Sequence, residues 1–156
     1  MKHKILLVSA TTVLLFLVFL YVFTIPVVQE APNIIGEFGG VSLIIELATS
    51  TQAQVRGLSG RQSIPNSYGM LFVFDDEEMH GFWMKDMQMP IDIFWLDTKG
   101  HVVGVRSNVA TSTYPSVFYP PEPVRYVLET SAGFAVKNNI ATGTQLVLPN
   151  LRGVFK

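Results

Sequence analysis

The chain of 156 residues contains no cysteine. That excludes disulfides, thiolate nucleophiles, Cys-ligated zinc and iron–sulfur clusters together. It also excludes the lipid-modified cysteine of a bacterial lipoprotein, so the compartment must be read from other features. Charge is scarce as well. Charged residues make up 15% of the chain and hydrophobic ones 49%, which is more apolar than a typical soluble domain. With Lys2, Lys4 and Glu30 set aside, nine Lys or Arg face eleven Asp or Glu in residues 31–156, a net charge of −2. So balanced a segment does not bind nucleic acid by neutralising phosphates. It is equally unlike an acidic disordered tail. The length allows one domain and leaves no room for two full cores. There is no internal repeat and no low-complexity run.

The sequence does contain a long apolar run near its start. Ile5–Phe23 reads ILLVSATTVLLFLVFLYVF without a charge, and the apolar stretch continues to Val28, interrupted by Pro26. About 20 apolar helical residues cross the hydrocarbon core of a bilayer. A cleaved signal peptide has a shorter apolar region and a small-x-small site. Here IPVVQEAPN follows, and only Val22-Phe23-Thr24 comes near such a site. Residues 5–28 are therefore expected to be a transmembrane anchor or uncleaved signal, preceded by a cytoplasmic tail at residues 1–4. Lys2 and Lys4 precede the run, and the next basic residue is Arg56. The positive-inside bias then puts the N-terminus in the cytoplasm and the rest outside the membrane.

Residues 29–40 read as a linker with Pro and Gly punctuation. Val41–Leu47 alternates like a half-buried strand. Thr51 and Gln54 fit a capping box, which predicts a short helix starting at Thr51 with Val55 and Leu58 facing the core. Met70–Phe74 reads as a central strand, Asp75–His80 as a polar connection, and Phe82–Lys85 and Ile91–Leu96 as two strands. A tight turn at Asp97–Gly100 leads into His101–Val105. Val109–Pro123, rich in proline, reads as a long loop. Val124–Glu129 and Gln145–Leu148 read as strands. Ser131–Asn138 makes two helical turns that end at Asn138 or Asn139. The expected fold is α+β but mostly β: a small mixed β-barrel-like domain with one or two short helices, preceded by one transmembrane helix.

Four blocks occur in one order: RGLSGR (Arg56–Arg61), GMLFVF (Gly69–Phe74), FWMKDMQMPIDIFWLDTKGHVV (Phe82–Val103) and YVLETSAGF (Tyr126–Phe134). Together they resemble Domain-of-Unknown-Function family 192, small prokaryotic proteins often exported or anchored. The resemblance covers about residues 41–149, with 150–156 left as a tail. It implies a small mixed β-barrel-like fold and no established activity. Asp86-Met87 stands where the family pattern has Asn-Thr, and Gly143-Thr144 where it has Gly-Asp.

The segment Phe82–Leu96 holds both tryptophans. If its two strands pair antiparallel with Lys85 opposite Asp92, one face is Phe82, Met84, Ile91, Ile93 and Trp95, a core face. The other is Trp83, Lys85, Asp92 and Phe94, which sets an ion pair beside aromatic rings. That face is either a ligand site or a plain cross-strand ion pair. Met87 and Met89 in the loop between form either an adaptable apolar rim or simple loop packing. Arg56, Arg61, Arg125 and Glu129 lie in the family-like blocks; Arg56, Arg125 and Glu129 are read as a structural charge network, since buried charges must pair, or else the group is a site for an anionic ligand. The acids Asp75–Glu78 with His80 do not match an EF-hand, and no metal site or cofactor is assigned. His80 and His101 read as surface residues.

Two functions follow, from different classes. One is a membrane-anchored extracytoplasmic binding or interaction module. Its partners would be the bilayer, through residues 5–28, and a carbohydrate, small-molecule or envelope-protein ligand. The Val109–Pro123 loop would be a flap over its site. The other is a cell-envelope enzyme acting on glycans through a carboxylate pair, with Asp92 and Glu129 as the candidates. A purely structural envelope protein would instead lack a pocket lined by rings and charges.

Overall fold

The computed structural model describes Phe19 and residues 33–148. Phe19 is helical; the rest of the expected anchor lies outside the described residues. Among those described, no helix is long and apolar enough to cross a membrane.

The body begins with an antiparallel hairpin of β1 (Asn33–Phe38) and β2 (Val41–Ala48). Its turn is Gly39-Gly40, at φ +60° and +81°, the left-handed pair that a two-residue hairpin favours. The stretch read as a linker thus holds a strand. Gly36 lets the hairpin pack, because a Cβ there would come within 2.7 Å of the Ile45 side chain.

Helix α1 (Thr51–Arg56) then crosses to β3 (Tyr68–Glu78), which runs parallel to β2. Ser50, one residue earlier than expected, caps α1 by accepting a 3.2 Å hydrogen bond from the Ala53 N–H. Gln54 closes no capping box. Its amide donates to the Val73 carbonyl at 2.8 Å and to the Ala48 carbonyl at 3.3 Å, fastening the helix to the end of β2 and the middle of β3. The face that carries Gln54 therefore turns inward and leaves Val55 80% exposed, while Leu58 is buried as expected.

The remaining strands are β4 (Phe82–Trp83), β5 (Ile91–Leu96), β6 (Val102–Val109), β7 (Val117–Phe118), β8 (Val124–Ser131) and β9 (Leu146–Val147); α2 (Phe134–Lys137) follows β8. The main sheet has seven strands in the order β6-β5-β8-β3-β2-β1-β9. β3 continues through the four acids read as a connection, with a register break between Val73 and Glu78. The acids stay exposed there, on a strand that has left the core. Hydrogen bonds join residues 100–102 to 143–146, with a bridge between His101 and Gln145, and draw the two ends of the sheet toward each other. The result is a mostly-β fold: a curled half-barrel with two short helices.

Two apolar layers hold it. The inner layer takes residues from all seven strands of the main sheet, among them Phe38, Leu43, Leu71, Phe94, Leu128 and Leu146, and adds Phe134 from α2. The outer layer packs Met70, Phe72, Ile91, Ile93, Trp95 and Val127 under Leu58, Phe82, Met84 and Met89. The expected core face of Phe82, Met84, Ile91, Ile93 and Trp95 is therefore one layer, though its two strands do not pair with each other. β4 pairs with β7, whereas β5 is flanked by β6 and β8. The segment read as a loop thus supplies the partner of β4. Asn139, at φ 55°, follows α2 in the left-handed conformation expected there.

Candidate functional site

Strand alternation puts Val127 and Glu129 of β8 on the outer face. The register sets Met70 of β3 and Ile93 of β5 on either side of Glu129. The carboxyl is thus placed in an apolar row. The chain leaving α1 passes over it at Gly57, at φ 49°. A Cβ at Gly57 would stand 3.3 Å from the Phe72 ring and 3.9 Å from Glu129 Oε2. A bare backbone permits that close approach.

Between this turn and the sheet lies a cavity of ≈ 280 Å³. Glu129 lines it, with Phe72, Phe74, His80, Phe82, Trp83 and Met87, and Arg56 and Ser59 come from the α1 side. Phe82 meets Phe72 edge-on at 4.9 Å, and the His80 ring stacks on Phe74 at 3.6 Å between centroids. His80 is half-buried rather than on the surface. The rings thus come from β3, β4 and the segment between them, whereas the α1 side supplies polar and aliphatic residues.

Glu129 is 5% exposed, and its Oε2 has no hydrogen-bond partner, alone among the buried side-chain N and O atoms described. Burial pushes the carboxyl up to about 8 from its ordinary 4.5, with only the positive charge of Arg61 pulling it back. The group is therefore mostly protonated at neutral pH. Arg61 is engaged elsewhere. It donates to both oxygens of Glu46, at 3.0 and 2.9 Å, and to the Tyr68 hydroxyl at 2.7 Å, while Tyr68 donates to Glu46. Desolvation opposes charge on Glu46, but the bonds from Tyr68 and Arg61 outweigh it and hold that carboxyl below its usual range.

The residues expected to form one ligand face are separated. Trp83 is 50% exposed, with the Lys85 ammonium 5.8 Å from its ring and Tyr114 edge-on at 5.9 Å. Phe94 is fully buried in the inner layer. Asp92 is fully buried as well and accepts from three backbone N–H groups: Asn108 at 2.7 Å, Gly133 at 3.1 Å and Ala135 at 2.7 Å. It ties β6 and the start of α2 to β5. The Lys85–Asp92 register fails because β4 has left β5 for β7.

The expected carboxylate pair is corrected for a related reason. Asp92 lies opposite Thr130 and Ile93 opposite Glu129, so the two acids occupy opposite faces of the sheet. They cannot flank one scissile bond. Arg56, Arg125 and Glu129 do not close into one network either. Arg125 donates to the Phe74 carbonyl at 2.9 Å, Arg56 is exposed, and Glu129 Oε2 is unpaired. Among the described residues no three His, Asp or Glu side chains are grouped as metal ligands. Sequence reading missed Gly57, Phe72, Phe74 and Phe82 as cavity walls. The apolar strand residues gave no signal beyond core, whereas Gly57 stood in the RGLSGR block.

Residues 34–148 match the model of a family described as Uncharacterized ACR, Domain-of-Unknown-Function family 192. None of the curated proteins matches. Similar solved structures include two that bear on the fold. One, from Sinorhizobium meliloti 1021 and described provisionally as a transcription regulator, has a TM-score of 0.73 and 24% identity over 78% of this chain and 98% of that one. The other, a protein of unknown function from Novosphingobium aromaticivorans DSM 12444, has a TM-score of 0.71 and 24% identity over 77% and 88%. At that identity the likeness shows the fold alone.

Proposed function

Because the chain belongs to Domain-of-Unknown-Function family 192, a membership that assigns no activity, we propose that it is a membrane-anchored binding module whose ligand occupies the Glu129 cavity. One observation carries the reading: a buried carboxyl with an unpartnered oxygen belongs to a residue that lines a cavity, with Phe72, Phe74, Phe82 and Trp83 in the same wall. Leaving such a group unpaired costs stability and is expected where a ligand completes the pairing. A purely structural protein has no use for it. Trp83 belongs to this site through the cavity wall, and Lys85 belongs through its contact with Trp83. Asp92 and Phe94 serve the inner layer instead.

The anchor rests on the uncharged run Ile5–Phe23, and the orientation on Lys2 and Lys4 ahead of it. The domain then faces the outside of the membrane, where it meets small solutes, glycans and envelope proteins.

Two experiments test the proposal. Purification of the full chain from membranes of a native-like host, followed by native mass spectrometry, should reveal a small adduct that Glu129→Ala loses. Apo protein alone from both would count against a bound ligand. A reporter fused at Lys156 should be cleaved by protease added to intact spheroplasts. Cleavage only after lysis would reverse the topology.

A further inference from the structure

The chemistry of the cavity narrows its occupant. We propose that the Glu129 cavity selects a small organic amine, bound as its ammonium ion between the carboxylate and the surrounding rings. This rests on the reading of the cavity as a ligand site and names the class of ligand.

The argument is one of matching. The Glu129 carboxyl offers an acceptor, Oε2, that nothing in the chain fills. A carboxylate pairs most strongly with an N⁺–H donor. Phe72, Phe74, Phe82 and Trp83 line the cavity, and an aromatic face attracts a cation while the ring covers its apolar substituent. An anion would gain nothing from ring faces, whose negative potential repels it. A neutral alcohol would satisfy Oε2 but gain nothing from the rings beyond contact.

The charges around the site are accounted for. Arg61 acts on Glu129 from the loop after α1, yet its guanidinium is held by Glu46 and Tyr68. Arg56 lines the cavity from α1 but is exposed, so solvent screens it. His80 lines the side away from α1, stacked on Phe74. Lys85 lies over Trp83. The neighbouring strands contribute Met70 and Ile93 at the positions opposite Glu129, neither of them charged. Entry of an ammonium ion therefore supplies the missing counter-charge. The empty site holds its proton at neutral pH, so capture of the ammonium form releases that proton to solvent. The charge inside the cavity then changes by no more than the newly formed pair.

The test uses the full chain and three probes of one shape: benzylamine, benzyl alcohol and benzoate. Calorimetry at pH 7 in buffers of different ionisation enthalpy should show benzylamine binding with release of close to one proton. Glu129→Gln should weaken benzylamine by roughly tenfold or more and leave benzyl alcohol unchanged. Carboxyl NMR of Glu129 should show its titration moved to lower pH at saturating benzylamine, a readout independent of how well the variant folds. If benzyl alcohol or benzoate binds as tightly as benzylamine, the amine class is overturned and the cavity remains a ligand site. If none of the three binds and Glu129 titrates identically with each present, both readings fall.

Discussion

The buried carboxyl makes a thermodynamic prediction that needs no ligand. Glu129 titrates near 4.5 when solvated and near 8 in the folded chain, because burial disfavours its charge. Between those values the native state holds a proton that the unfolded chain has lost. Stability therefore falls as pH rises through that window, and it is flat with respect to this group above and below. The interval of roughly 3.5 pH units, at about 1.36 kcal/mol each, sets a ceiling of about 5 kcal/mol.

Glu129→Gln keeps the shape and removes the titration. Its amide still lacks a partner in the apolar row, a cost that does not vary with pH. The variant should thus be close to wild type near pH 5 and more stable than wild type by several kcal/mol near pH 9. Urea unfolding of both proteins at half-unit steps from pH 5 to 9 reads the difference directly. A difference that stays constant to within about 1 kcal/mol across that range would refute the claim that Glu129 is buried without a counter-charge. A difference that grows in the opposite direction would mean that a cation already pairs with it.

Other predictions follow from the same geometry. Arg61→Met should move Glu129 to still higher pH in carboxyl NMR, because Arg61 is the charge now pulling it down; no movement would show that Arg61 is fully neutralised by Glu46. Asp92→Ala should cost about 3–5 kcal/mol in thermal or urea unfolding, since three backbone N–H groups lose one charged acceptor. A cost below about 1 kcal/mol would mean that water replaces it. Gly57→Ala should cost about 1–3 kcal/mol, because φ 49° with ψ −136° is backbone space that a Cβ disfavours, and should also weaken any occupant of the cavity, which competition binding would reveal. Asp86→Val should destabilise by a similar amount, because Asp86 sits at φ 56° and a β-branched residue tolerates that poorly; melting temperature checks it.

Local signals carried much of the fold into the sequence. Alternation located β2; β5 and β8 were read as short strands without it, and the face Phe82, Met84, Ile91, Ile93 and Trp95 emerged as one layer because side chains alternate along each strand. Pairing was less legible. Nothing local tells β4 to choose Val117–Phe118 over β5, since both partners are apolar and the choice depends on β8 occupying the other side of β5. The same non-local fact removed the Lys85–Asp92 pair. The linker reading failed because β1 is short and punctuated by Gly36, Gly39 and Gly40, which look like loop until a partner strand explains them. The site was half visible. Glu129 and Trp83 were singled out, but for partnerships the topology does not allow.

Three acids show why Glu129 differs. Asp92, on the inner face, is met by three backbone N–H groups. Glu46, on the outer face, is met by Arg61 and Tyr68. Glu46 and Glu129 lie in one row of the sheet, separated by Met70, to which each is register-paired. The chain therefore had a cation within range of both and committed it to one. A Leu at 129 would fill the row without the desolvation cost, and burial of an unpaired ionisable group is disfavoured wherever packing alone decides. Packing alone need not decide here, because Glu129 lines the wall of the cavity. The imbalance is local and lies in the cavity wall, which is where the proposed ligand would supply the partner that Glu129 lacks.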